Sequence, residues 1–350
     1  MQQPLETISD FLVMSGFQYR VFDLGRKIQR ISNQTFVGIE AQQTKYPYPF
    51  QQKAWLAILL WDEQKKHEPV IWFLSFPIDE MGFLKQESRD AFVRDLLENV
   101  GENMQAHLQG DEAQDSLKES PFSFKPREDR LAMFHALATV ELKQAPSQHY
   151  AHTQEYLSGA LGYDQWQFLG LQGVADVVAR LAKDDNATAL ATALPNLPDM
   201  PLDTFMQTLE HVSFSGRLSA AVAARLQQET QAEAPQPPLL ASLIRALSGS
   251  EAKAERVRLL AEVLDSELSQ HIDVLAAISG RCWEDLQDSA LLQQFLEASA
   301  FQEQNVFNIL LVDLMTLPDM RTAVLIALRH PERSSELSQR IGGFMGGVIG

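Results

Sequence analysis

The sequence predicts a mainly α-helical protein in two parts. An α+β domain comes first, and an all-α domain of helical hairpins follows, as a HEAT-like α-solenoid or a bundle. Three observations carry this prediction. Two apolar blocks, "AWLAILLW" and "VIWFL", flank the polar run "DEQKKHEP" in the first third of the chain. After Arg127 strand-like patterns give way to a long series of helical segments, separated by short stretches rich in Pro, Gly, Asn and Asp. The charge is also divided: of a net −17 over 350 residues, residues 1–60 contribute +2 and the remaining 290 contribute −19.

In the N-terminal part, residues 4–15 read as a helix, with Pro4 near its first turn, Ile8, Phe11 and Leu12 at helical spacing, and Gly16 as the stop. "QYRVFDL" alternates as a strand from Gln18 to Leu24, and Ser32 in "SNQTFVGIEAQQ" opens a short helix. Both the odd and the even positions of "AWLAILLW" are apolar, so this block predicts a central strand covered on both faces. The β-branched and aromatic block Val70–Leu74 completes a hairpin, closed off by Pro77. Trp55, Trp61 and Trp72 are expected in the core, with the flanking helices supplying both covers. A last helix runs through "KQESRDAFVRDLLENVGENMQAHL". This domain spans residues 1–112, and the polar, proline-flanked stretch 113–126 is expected as a linker.

The helical domain spans residues 127–340, and the Gly-rich end 341–350 is expected as a flexible or loosely docked tail. "LPDM" occurs at 197–200 and again at 317–320, which hints at three periods of about 40 residues, within the HEAT and armadillo range. Small-residue segments such as "AAVAARL" and "LASLIRAL" suit close packing between layers. "ETQAEAPQPPLL" reads as a kink in the array or a loop on it.

Composition excludes several classes. The negative charge opposes phosphate-driven nucleic-acid binding and adsorption to anionic membranes. No run of about 18 apolar residues is present, so no membrane span is expected. The opening "MQQPLETISDFLVMSGF" lacks a basic n-region and carries Glu6 and Asp10, so no signal peptide is expected. Cys282 is the single cysteine, expected buried and in a reducing compartment. Together these place the protein in the cytoplasm.

"YRVFDLGRKIQRIS", "YPYPFQQKAWLAILLW" and "PVIWFLSFPIDEMG" resemble the N-terminal pattern of DUF3549, a family of uncharacterised gammaproteobacterial proteins. The resemblance extends over the whole chain and is sharpest at residues 19–90. It implies a bacterial cytosolic setting and brings no activity, cofactor or catalytic residue.

Among possible sites, His149, His152 and Glu155 have metal-like spacing on a helix but lack the H-E-x-x-H arrangement, so they are a weak candidate beside a plain polar helix face. Asp79 and Glu80 in "PIDE", followed by Arg89 and Asp90, offer paired carboxylates. Consecutive residues diverge, however, and capping of the following helix is the simpler role. "DLGRKIQR" places Arg26, Lys27 and Arg30 after a strand without the glycines of a phosphate loop, so a docking loop or a solvated turn is expected. "GLQGVAD" lacks the third glycine and the strand of a dinucleotide loop, and Gly342 and Gly346 sit in a segment too short to span a membrane.

The expected function is a non-enzymatic scaffold whose acidic helical array docks a basic or amphipathic partner protein, with no nucleic acid and no cofactor. Arg26, Lys27, Asp79, Glu80 and Arg89 are the candidate contact residues. The alternative is an enzyme or small-ligand binder with a site between the two domains.

Overall fold

The computed structural model describes residues 6–62, 69–100 and 120–349. The chain divides into two compact units, the first ending at Arg127 and the second beginning at Glu128, with Thr316–Pro318 grouped with the first.

In the first unit, α1 (Ile8–Met14) begins with a reciprocal capping box between Thr7 and Asp10. It stops before Gly16, whose φ of +77° an L side chain rarely adopts. Strands β1 (Gln18–Asp23) and β2 (Gln29–Ile31) lead to α2 (Asn33–Glu40), capped by the Ser32 hydroxyl. Strands β3 (Lys53–Trp61) and β4 (Val70–Pro77) precede α3 (Gln86–Val100). The four strands form an antiparallel sheet of order β2-β1-β3-β4. The residues joining β3 to β4 at 63–68 and those following α3 at 101–119 lie outside the described residues.

Period-2 geometry sorts β3 onto two faces. Ala54, Leu56, Ile58 and Leu60 join one cluster with Ile8, Phe11, Phe36, Ile39, Phe92 and Leu96, so α1, α2 and α3 all cover the same face. That corrects the expectation of a helix cover on each side. It also divides the tryptophans. Trp72 is core, 3% exposed, between Phe11 and Phe92. Trp55 and Trp61 lie on the opposite face and are half-buried. Trp55 meets the edge of Phe124 and donates its indole N–H to the Phe50 carbonyl, and Trp61 carries the Arg20 guanidinium over its ring.

Of the expected linker 113–126, residues 113–119 lie outside the described residues. The remainder is ordered against the sheet: Ser75 N–H donates to Phe122 O, Phe124 N–H donates to Phe73 O, and Phe122 stacks on Phe76. This segment covers the exposed edge that β4 would otherwise present. At the other edge, β2 carries the exposed Arg30, a charge that discourages pairing with another chain.

The second unit contains α4 (Glu128–Glu141), α5 (Tyr150–Leu157), α6 (Leu171–Ala179), α7 (Asn186–Ala193), α8 (Asp199–Leu209) and α9 (Gly216–Thr230). It continues with α10 (Pro237–Leu247), α11 (Lys253–Leu264), α12 (Ile272–Arg281), α13 (Ser289–Ser299), α14 (Gln304–Thr316), α15 (Met320–Ala327) and α16 (Ser335–Ile349). Most of these helices pack on the one two places along. One series runs α4, α6, α8, α10, α12 and the other α5, α7, α9, α11, α13, α15, with cross-packing between them as at α5–α6 and α9–α10. Two layers of short helices bury apolar stripes that none could bury alone.

Local chemistry explains several boundaries. Pro237 and Pro238 open α10, where a missing N–H costs nothing, so the proline-rich stretch is a helix start. A Cβ added at Gly173 would strike the Thr153 hydroxyl and the His149 carbonyl, so "GLQGVAD" has its glycine because α5 presses on α6. The two "LPDM" copies prove inequivalent. The first leads into α8 of one series and the second into α15 of the other. The Gly-rich end, expected to be flexible or loosely docked, is helical to Ile349.

Candidate docking groove

Helix α11 ends at Leu264, and a single 3-10 turn, Glu267–Gln270, follows at once. Its geometry is set by serine hydroxyls: Ser266 donates to Val263 O and Ser269 to Ser266 O. Helix α13 packs alongside and starts where the Asp288 carboxylate accepts the N–H groups of Ala290 and Leu291. Between them lies a cleft of about 700 Å³. Its apolar surface comes from Leu264, Ala290, Ala298 and Phe301, and Phe301 is 62% exposed.

Asp265, Glu267 and Glu297 also line the cleft, with His330, and among the described residues no lysine or arginine does. Asp265 and Glu267 are exposed. Glu297 is held in place by neutral donors only: the Gln293 amide at 3.0 Å and the Ser334 N–H and hydroxyl. Its charge is therefore oriented without a counter-ion in direct contact, which leaves the groove attractive to a cation. An apolar cleft bordered by carboxylates fits an amphipathic basic segment.

Among the buried carboxylates, Glu40 and Glu210 serve the fold. Glu40, at the end of α2, is 1% exposed and accepts the N–H groups of Ile8 and Ser9 together with the Ser9 hydroxyl, so it anchors the start of α1. Desolvation pushes its carboxyl up to about 7, against the lowering effect of those N–H groups and of Arg89. Glu210, at the end of α8, sits between Arg281 of α12 at 3.0 Å and Arg245 of α10 at 3.5 Å, beside His211. Burial opposes its charge, yet Arg281, His211 and Arg130 together draw its carboxyl down to about 2.

The five contact residues expected from sequence do not form one surface. Arg26 is fully buried, with Nε donating to Pro49 O and its backbone N–H bound by Asp23. Arg89 is 7% exposed and donates to Glu40 O and to Asp90. Charged residues are normally found outside, and a sequence offers no sign of the carbonyls waiting for these two. Asp79 does not cap a helix, since its carboxylate accepts the N–H groups of Met81 and Phe83 in a turn ahead of α3. Glu80 is exposed and Lys27 half-buried.

The weak metal candidate is His149 with His152. His149 precedes α5 and stands against Gly170, and among the described residues no group of three or more His, Cys, Asp or Glu is placed to hold a metal ion. Cys282 is buried, with its thiol directed at Ile244 O. The groove itself escaped the sequence reading. Acids at 262, 265 and 267 near a helix end were the only signal, and Glu297 and His330 join them through helix stacking alone.

Fold and groove define a two-part protein, a small antiparallel α+β unit followed by a two-layer helical array with an acidic cleft. The model for "Protein of unknown function (DUF3549)" matches residues 3–345, so the chain belongs to this family. No curated protein and no solved structure matches it. Among the described residues no helix is long and apolar enough to cross a membrane.

Proposed function

We propose that this protein is a non-enzymatic docking scaffold of the cytoplasm, whose acidic helical array binds an amphipathic basic segment of a partner protein. The observation that carries the reading is the α11–α13 groove, with an apolar lining, three carboxylates and, among the described residues, no lysine or arginine. A net charge of −17 adds a long-range field that draws basic partners and repels nucleic acid. The two-series packing of the helices supports an open HEAT-like stack over a closed bundle, and such stacks expose the grooves between their repeats.

Affinity purification of the tagged full chain from its source cells at low salt tests this reading against the variant D265N/E267Q. A stoichiometric partner that co-elutes with the wild type and is lost from the variant, or at high salt, is the expected result. An identical set of co-eluting proteins from both would overturn the assignment of docking to this groove.

A further inference from the structure

We infer that the anchor of the docked segment is an arginine side chain, seated against Phe301 and selected by Glu297. This rests on the docking reading above and adds the chemistry of the recognised residue. Two serine hydroxyls and one amide of the groove have their protons turned inward. Ser266 and Ser269 donate their hydroxyl protons to Val263 O and Ser266 O. Gln293 donates its amide to Glu297, and its own enclosed oxygen meets no donor among the described residues. The carboxylates of Asp265, Glu267 and Glu297 are therefore the acceptors that the groove presents to an incoming ligand. Of the side chains that only donate, arginine and lysine carry the positive charge that pairs with these carboxylates, and tryptophan does not.

Two features select between them. Glu297 lies in the last turn of α13 and Phe301 two residues beyond its end, and both line the same cleft, so a cation paired with the carboxylate lies beside an aromatic face that is 62% exposed. A planar guanidinium stacks on such a face while its fork spans several acceptors. An ammonium is a compact, strongly hydrated point charge and satisfies fewer of them.

The test uses the full chain and short capped peptides of Leu and Ala bearing one central arginine, lysine or citrulline, followed by fluorescence anisotropy. The arginine peptide is expected to bind roughly tenfold more tightly than the lysine peptide. The neutral citrulline peptide should bind more weakly than either. In F301A, which removes an exposed ring, the arginine-to-lysine ratio falls toward one. In E297Q both charged peptides weaken. Equal affinity for arginine and lysine in the wild type would overturn the arginine anchor and leave the docking reading standing. Failure of both charged peptides to bind better than citrulline would overturn the two together.

Discussion

Replacing Glu210 by alanine is expected to destabilise the helical unit by about 3–5 kcal/mol, the cost of removing one partner from a buried ion pair. The carboxylate is the one acid in direct contact with both Arg281, whose side chain is 9% exposed, and Arg245. These three residues end α8, α10 and α12, which follow one another in the same layer, so the loss is felt at two consecutive helix contacts. Urea unfolding followed by circular dichroism measures it. The double variant E210A/R281M should cost less than E210A alone, because it no longer strands the Arg281 charge. A change below about 1 kcal/mol in E210A would show that the pair contributes no more than an exposed one.

The same group fixes a pH window. Its carboxyl is held at about 2 in the folded state, below the usual carboxylate value of 4.5, so the unfolded chain binds the proton first on acidification. Its contribution is complete above pH 4.5 and is lost as pH falls toward 2.

Glu40 gives the second large effect, with the opposite sign. Its folded carboxyl is raised to about 7 from 4.5, so between these values the folded state binds more protons than the unfolded state. Stability of the α+β unit therefore declines as pH rises from 4.5 to 7 and levels off above, by about 3 kcal/mol in total. The groups facing Glu40 include Asp10 of α1, which raises its carboxyl further, Arg89 of α3, which lowers it, and Tyr19 of β1, whose phenol is itself pushed up by burial and by the Glu40 charge. Glu40→Gln removes the titrating group while keeping an acceptor for the start of α1. Unfolding midpoints measured across this range should decline less steeply in Glu40→Gln than in the wild type. A slope unchanged by the substitution would refute the assignment.

Much of the fold was legible from residue patterns. Apolar residues on both faces of "AWLAILLW" marked a central strand because only burial on both sides tolerates them, and Ser32 marked a helix start through its hydroxyl. Strand β2 was not legible, since "KIQRI" is basic and joins the sheet only through an edge pairing with β1. The glycines of the last helix read as a flexible tail, yet the segment is helical. The burial of Arg26 and Arg89 is likewise a tertiary fact. Each guanidinium is satisfied by a backbone carbonyl far along the chain, Pro49 O and Glu40 O respectively. The groove shares that origin. Asp265 and Glu267 follow the end of α11, and only the stacking of α11 on α13 brings Glu297 and Phe301 beside them.

Docking through this groove is tested most directly by titrating the full chain into a labelled basic amphipathic peptide over a range of salt concentrations. The wild type is compared with D265N/E267Q/E297Q. Wild-type affinity should fall steeply as salt rises, while the neutralised variant binds at least roughly tenfold more weakly and with a flatter salt dependence. Equal affinities and equal salt dependence in the two proteins would contradict docking at this groove.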